Sequence, residues 1–328
     1  MNEQNSKKKY DVVALGELLI DFTQNGISKQ GNPLLEANPG GAPCNVLSML
    51  KRFGREVAFI GKVGNDGFGS MLENVINNIG IATEGLVKDE EIHTTLALVL
   101  KKADGDRDFA FYRNPGADVC LKKEEINVEL IKEARLFHFG SLSLTDEPAI
   151  SATMKAIELA KENGLIISFD PNLREALWSS LDKAKEMIAY GLKQTDILKI
   201  ADNEITWFTG IEDYDEAVSS LKENYPNLKL ICVTLGQNGS LAYWNGSKVE
   251  AKAFLQEKTI DTTGAGDTFC ASMIHHALLY GLDGFNEERL KRMLEYGNAA
   301  ASIITTRYGA LKVMPTLSEV EQLIEERS

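Results

Sequence analysis

Short apolar runs alternate along the chain with longer stretches in which apolar positions recur at helical spacing. Tyr10–Leu15, Val57–Ile60, Leu136–Phe139, Leu165–Phe169, Ile197–Ile200 and Leu230–Thr234 are near-continuously apolar. Such runs belong to strands buried on both faces, as in a parallel sheet covered by helices. Between them, Pro43–Phe53 predicts a helix with proline in its first turn and Gly54 as its stop, and Ala149–Asn163 a helix ended by Gly164. The fold class that follows is α/β, a doubly wound and mostly parallel central sheet flanked by helices. Two segments break this rhythm. Residues 21–37 and 94–113, the second with Asp104-Gly105-Asp106 at its turn, alternate like exposed antiparallel strands and predict a small antiparallel β lid inserted in one domain spanning 1–328. Leu96, Leu98, Leu100, Phe109 and Phe111 are expected to give that lid an apolar face too large for a bound ligand to cover, and so a homodimer through the lid. Gln237-Asn238-Gly239 and Trp244-Asn245-Gly246 read as two further hairpin turns.

Composition narrows the class. With 328 residues, 44% of them apolar, the chain can bury a large core without staples. Cys44, Cys120, Cys232 and Cys270 are widely spaced, form no C-x-x-C pair, and read as reduced thiols. Residues 1–9 are polar and predict a disordered tail; no apolar leader follows them, and no run approaches a membrane span, so a soluble cytoplasmic protein is expected. A formal net charge of −13 leaves no basic stripe for nucleic acid, and an anionic ligand must therefore be held locally by helix ends and single arginines.

The chemistry concentrates at Asp261-Thr262-Thr263-Gly264-Ala265-Gly266-Asp267-Thr268-Phe269. A turn of small residues opening a helix can gather the N–H groups of Gly264, Ala265 and Gly266 where the helix dipole is positive, an anion hole for a migrating phosphoryl group. Asp267 beside it can accept a proton from an attacking hydroxyl. Taken alone, the same residues equally describe a glycine-capped loop. No P-loop, third small residue of a dinucleotide fingerprint, G-x-S-x-G or H-E-x-x-H is present, and His93, His138, His275 and His276 lack metal-ligand spacing.

Together with Gly40-Gly41-Ala42-Pro43-Cys44-Asn45, this segment resembles the signatures of the PfkB (ribokinase-like) carbohydrate kinase family, with similarity running from Tyr10 to Pro315. Within the family the chain is most similar to fructokinases, on Gly16-Glu17 with Asp21, Gly61-Lys62-Val63-Gly64-Asn65-Asp66-Gly67-Phe68-Gly69, Phe111-Tyr112-Arg113-Asn114-Pro115-Gly116-Ala117-Asp118 and Phe169-Asp170-Pro171-Asn172-Leu173-Arg174. The resemblance implies transfer of the ATP γ-phosphoryl group to the 6-hydroxyl of D-fructose, with Mg²⁺ on the phosphates. Ribose or 2-keto-3-deoxygluconate are alternative acceptors, and an idle scaffold of the same fold is the alternative outside enzymology.

Residue by residue, the resemblance implies that Asp21, Gly40, Gly41 and Asn45 cradle the sugar, and that Arg113 either reaches sugar or phosphate or makes a lid salt bridge. Arg174 either orients phosphate or a site carboxylate, or pairs structurally. Thr234, Gly236, Gly239 and Asn298 correspond to the nucleotide side. Glu204 matches the glutamate of the family's N-x-x-E segment near Mg²⁺, though Ala201 stands where that segment has asparagine, and Ser272 replaces the signature's Gly or Ala. Asp261 and Thr263, with Gly309, resemble a K⁺ loop found in part of the family.

Overall fold

The computed structural model describes residues 8–101 and 107–327. Its strands are β1 (Tyr10–Leu15), β2 (Leu19–Ile27), β3 (Pro33–Gly40), β4 (Val57–Gly64), β5 (Ala82–Asp89), β6 (Leu96–Lys101), β7 (Arg107–Tyr112), β8 (Ala134–Gly140), β9 (Ile166–Asp170), β10 (Ile197–Ala201), β11 (Leu230–Thr234), β12 (Ser240–Trp244) and β13 (Ser247–Ala251). Its helices are α1 (Ala42–Arg52), α2 (Gly67–Ile79), α3 (Val128–Lys132), α4 (Ala149–Glu162), α5 (Leu181–Gln194), α6 (Asp202–Thr209), α7 (Tyr214–Asn224), α8 (Ala265–Tyr280), α9 (Glu287–Ile304) and α10 (Leu317–Arg327).

The larger sheet runs β13-β12-β11-β10-β9-β8-β1-β4-β5 and is parallel from β5 to β11, with β12 reversed. Successive side chains of a strand face opposite ways, and the inner strands here are buried on both faces. Val12 and Ala14 thus enter one core with α1, α8 and α9, while Val13 and Leu15 enter the other with Phe137, Phe139 and Phe169. After β5 the chain returns to the far side of β1, so the order reverses between β1 and β8, the place where open α/β sheets open a crevice beyond their strand ends. The hairpin turn at Asn245-Gly246 is borne out, with φ of 44° and 83°, the left-handed pair that a two-residue connection needs.

The smaller sheet, β3-β2-β6-β7, consists of two antiparallel hairpins joined by a parallel β2–β6 pairing. The pairing corrects one expectation. Leu96 lies opposite Tyr112 and Leu98 opposite Ala110, whereas Phe111 lies opposite Ala97, so Phe111 occupies the other face from Leu96 and Leu98. Directly paired residues project to the same side, and the register alone separates them. The turn at 104–106 lies outside the described residues, as do the side chains of Leu100 and Phe109 and the tail over 1–7; Lys9 already meets Glu84 at 3.4 Å. Among the described residues, no helix is long and apolar enough to cross a membrane.

Candidate active site

One cavity of about 740 Å³ opens at the crevice, beneath the smaller sheet. Alternation along β2 sends Leu19, Asp21 and Thr23 into it, with Ala97 and Phe111 of the neighbouring strands. The opposite face keeps Ile20 buried and sets Phe22 edge-on against Phe68 of α2, 5.6 Å between ring centres, which fixes the sheet over the opening. Gly41, Ala42 and Asn45 enter from the start of α1, Asn172, Leu173 and Arg174 from the loop after β9, and Asp261–Gly264, Gly266 and Asp267 from the start of α8.

Two glycines set the mouth of α1. A Cβ on Gly40 would stand 2.3 Å from Asp21 Oδ2, so its absence gives the carboxylate its room. Gly41 has φ 126° and a Cβ there would meet the Glu17 carbonyl oxygen at 2.3 Å; only glycine fits this helix start. The N–H of Ala42 donates to Glu17 Oε1 at 2.8 Å. Burial pushes Glu17 up to about 7, against backbone hydrogen bonds that favour its charge.

α8 begins after Gly264, which is left-handed at φ 80°, and no side chain caps that end. Asp267 is its third residue. The helix is apolar nearly all round and packs between α1 and α9, which holds its first turn rigidly; Gly264 and Gly266 line the cavity, whereas the N–H of Ala265 donates to the Thr262 carbonyl at 3.3 Å. Asn45 Nδ2 donates to Asp267 Oδ2 at 2.8 Å, while Asn45 Oδ1, buried at the cavity, has no hydrogen-bond partner among the described residues. Burial raises Asp267 above the ordinary carboxylate value, opposed by the Asn45 hydrogen bond, Lys199 and Arg174. Asp21 is pushed up to about 6, chiefly by burial, with Arg174 opposing and Asp261 and Asp267 adding to the rise. A buried carboxylate in the first turn of a helix and a second carboxylate thus line one cavity, an arrangement that can accept a proton and hold hydroxyl groups.

Asp261 ties the preceding turn. Its Oδ1 accepts from Thr263 N (3.0 Å) and Thr263 Oγ1 (2.7 Å), and its Oδ2 from Gly309 N (3.2 Å). Asp261, Thr263 and Gly309 are therefore brought together, Gly309 through its N–H.

Other expected site residues stand apart from the cavity lining. The Arg113 side chain is buried and fully engaged, by Asp118 Oδ2 at 2.7 and 2.8 Å, Thr145 Oγ1 at 3.0 Å and the Leu142 carbonyl at 2.8 Å. Of the two roles open to it, the salt bridge is what the structure contains, buried rather than exposed. Glu204 accepts from Leu173 N (2.7 Å) and Ala201 N (2.9 Å), clamping the loop that carries Arg174. Asn298 accepts from Ser240 Oγ at 2.9 Å and donates to the carbonyls of Ala251 and Lys252 at 3.1 and 3.2 Å, which braces β12 and the exit from β13. Gly239, at φ 102°, lets the Ala251 carbonyl approach. Thr234 and Gly236 lie at the C-terminal end of β11, on the same sheet edge as Asp170 and Ala201.

Sequence reasoning missed Lys199, whose Nζ lies 3.1 Å from both oxygens of Asp170, and which is buried behind Gly266. A single lysine in the otherwise apolar run of β10 was the available signal, since an unpaired ammonium is excluded from such a strand.

This geometry has relatives. Residues 9–317 match the pfkB family of carbohydrate kinases. Fructokinase-1 of Zea mays is 42% identical over 317 residues, 96% of this chain and 98% of that protein. The fructokinase of Xylella fastidiosa solved with bound ATP superposes with a TM-score of 0.88 at 29% identity, over 97% of this chain and 99% of that one. A double mutant of the fructokinase of Vibrio cholerae O395, solved with fructose, ADP and a potassium ion, gives 0.85 at 27% identity, over 97% and 99%. A chain with these matches over nearly its whole length belongs to the pfkB family of carbohydrate kinases.

Proposed function

We propose that this protein transfers the γ-phosphoryl group of ATP to D-fructose, giving fructose 6-phosphate and ADP. The observation that carries the reading is Asp267, buried at the cavity floor, hydrogen-bonded to Asn45 and adjacent to the first turn of α8. The names of the matched relatives, and the fructose and ADP in the Vibrio structure, support the choice of sugar.

In this reading Asp21 accepts hydrogen bonds from sugar hydroxyls, Gly40 and Gly41 let the ring lie against backbone, and the unpartnered Asn45 Oδ1 accepts a hydrogen bond from a hydroxyl. Asp267 removes the proton of the 6-hydroxyl as its oxygen bonds to the γ-phosphorus and the bond to the ADP oxygen breaks. A carboxylate raised by burial is a stronger proton acceptor than one in water. The N–H groups of Gly264 and Gly266 face the charge spread over the transferring group, where rigidity makes them effective, while that of Ala265 braces the turn through the Thr262 carbonyl. Arg174, on a loop held by Glu204, offsets the carboxylates around the phosphates. Arg113 acts at a distance, through the buried pair that seats the second hairpin. Thr234 and Gly236 form the nucleotide edge, and Asn298 and Gly239 shape its wall.

Among the described residues, no group of three or more histidine, cysteine, aspartate or glutamate side chains could hold a metal ion. Mg²⁺ would enter on the nucleotide phosphates and neutralise their charge, and Glu204 is the residue that would reach it through water. The Asp261 carboxylate and the Thr263 hydroxyl, drawn together with Gly309 by the Asp261 hydrogen bonds, are hard oxygens that would hold K⁺, and the ion would order the turn before α8.

The smaller sheet acts as a lid inserted in one kinase unit. Its exposed Ile27, Leu35 and Tyr112 support a homodimer built through the lids. Four free cysteines support a cytoplasmic location. The test is a coupled ADP-release assay over fructose, ribose and 2-keto-3-deoxygluconate. Fructose should lead in kcat/KM by at least about tenfold, roughly 1.4 kcal/mol of discrimination; equal or better turnover of ribose would refute the assignment.

A further inference from the structure

Lys199 is a buried cation beside Gly266 that the proposed mechanism leaves unused. It leaves β10 between apolar neighbours, with its side chain 6% exposed, and holds Asp170, 4% exposed, at 3.1 Å. Its tip continues to the first turn of α8: a Cβ on Gly266 would lie 3.1 Å from Lys199 Nζ and 3.7 Å from its Cε. The missing side chain of Gly266 therefore does two things. It bares the backbone toward the cavity, and it lets an ammonium approach that backbone from behind.

We propose that Lys199 is a positioning residue for phosphoryl transfer, its ammonium seated behind Gly266 to keep Asp267 in the proton-accepting form and to back the anion hole with a fixed positive charge. The lysine keeps its proton throughout. The inference rests on Asp267 being the base.

The groups that surround Asp267 decide whether a single lysine can matter. Asn45 faces it from α1, Lys199 from β10 and Arg174 from the loop after β9, while Asp21 of β2, Asp170 of β9 and Cys270 of α8 itself also interact with it. Of the two cations, Arg174 is exposed and screened by water, whereas Lys199 is buried. Burial works against the Lys199 charge, yet the carboxylates of Asp170 and Glu204 outweigh it and hold the group above the ordinary lysine range. A cation that stays protonated at every working pH can act as a fixed charge, and a buried one retains far more of its field than one in water.

The experiment compares pH profiles of kcat/KM with fructose for wild type, Lys199→Met and Lys199→Arg, each checked for a cooperative melt. Loss of the ammonium should lower kcat by about thirtyfold to a hundredfold, leave KM for fructose within about threefold, and raise the acid limb by about one pH unit. Lys199→Arg should keep the limb in place even if its larger head costs stability, whereas a purely packing role would favour methionine over arginine and move no limb. Should Lys199→Met fail to fold because Asp170 is left unpaired, the double variant Lys199→Met with Asp170→Asn removes that carboxylate. Only the lysine of the pair comes within 4 Å of a Cβ placed on Gly266, so the double variant should still raise the limb. An unmoved acid limb in either folded methionine variant overturns the proposal. Asp267→Asn, run in parallel, separates the two readings: near-wild-type turnover there removes the base itself, while a large loss there with unmoved limbs elsewhere removes only the role of Lys199.

Discussion

Replacing Asp267 with asparagine separates chemistry from folding more cleanly than any other single change. The variant keeps the shape of the side chain, and its amide oxygen can still accept from Asn45 Nδ2, which now lies 2.8 Å from Oδ2. Turning that charge-assisted bond into a neutral one costs about 1 kcal/mol. Against this stands the burial of the carboxylate, which already outweighs the Asn45 bond and both nearby cations, because the net effect raises the group above 3.8. A carboxylate raised on folding contributes nothing unfavourable below its unfolded value and destabilises increasingly as pH climbs through its folded value. The asparagine variant should therefore melt at or above the wild-type temperature at neutral pH, with the difference vanishing below about pH 4. Its turnover should fall by about 10²–10⁴, or roughly 2.7–5.5 kcal/mol of barrier, the range for loss of a general base. Fructose affinity, carried by Asp21, Gly41 and the Asn45 oxygen, should change by no more than about threefold. Coupled turnover, isothermal calorimetry with fructose and a melting curve on the same preparation give the three numbers. A folded variant turning over near the wild-type rate would refute the assignment of Asp267 as base, and with it the central step of the mechanism.

Three further outcomes can be checked. Arg113→Met leaves Asp118 buried without its partner and should lower unfolding free energy by about 3–5 kcal/mol, read from urea denaturation; a change below about 1 kcal/mol would place the arginine's role elsewhere. At matched ionic strength, activity should be higher in K⁺ than in Na⁺, and Asp261→Ala should abolish the difference; equal rates for wild type in the two salts would remove the cation loop. Light scattering at micromolar concentration should give twice the 36.1 kDa chain mass, and Leu35→Lys with Tyr112→Glu should return the monomer; a wild-type monomer across that range would reject lid-to-lid pairing.

Periodicity is a local property, and the features of this protein that depend on it were legible in the chain. Strands buried on both faces need continuous apolar runs, α1 and α4 need helical spacing with glycine at their ends, and the turn at Asn245-Gly246 needs left-handed residues. The small-residue segment before Asp267 belongs with these, because glycine at φ 80° and a carboxylate in the first turn of a helix are requirements of a few consecutive positions. Register and partnership are not local. That Phe111 shares the cavity face with Asp21 and Ala97, while Leu96 and Leu98 do not, follows from which residue of β6 pairs with which residue of β2 and β7. Arg113, Glu204 and Asn298 also have partners that no local pattern announces: their polar atoms bond to residues near and far in the chain, because buried donors and acceptors must be satisfied by whatever the fold brings beside them. Lys199 is the converse case. Its charge in an apolar strand signalled a partner, but only the parallel pairing of β9 and β10 supplies Asp170, and only the packing of α8 over the end of β10 puts the ammonium behind Gly266.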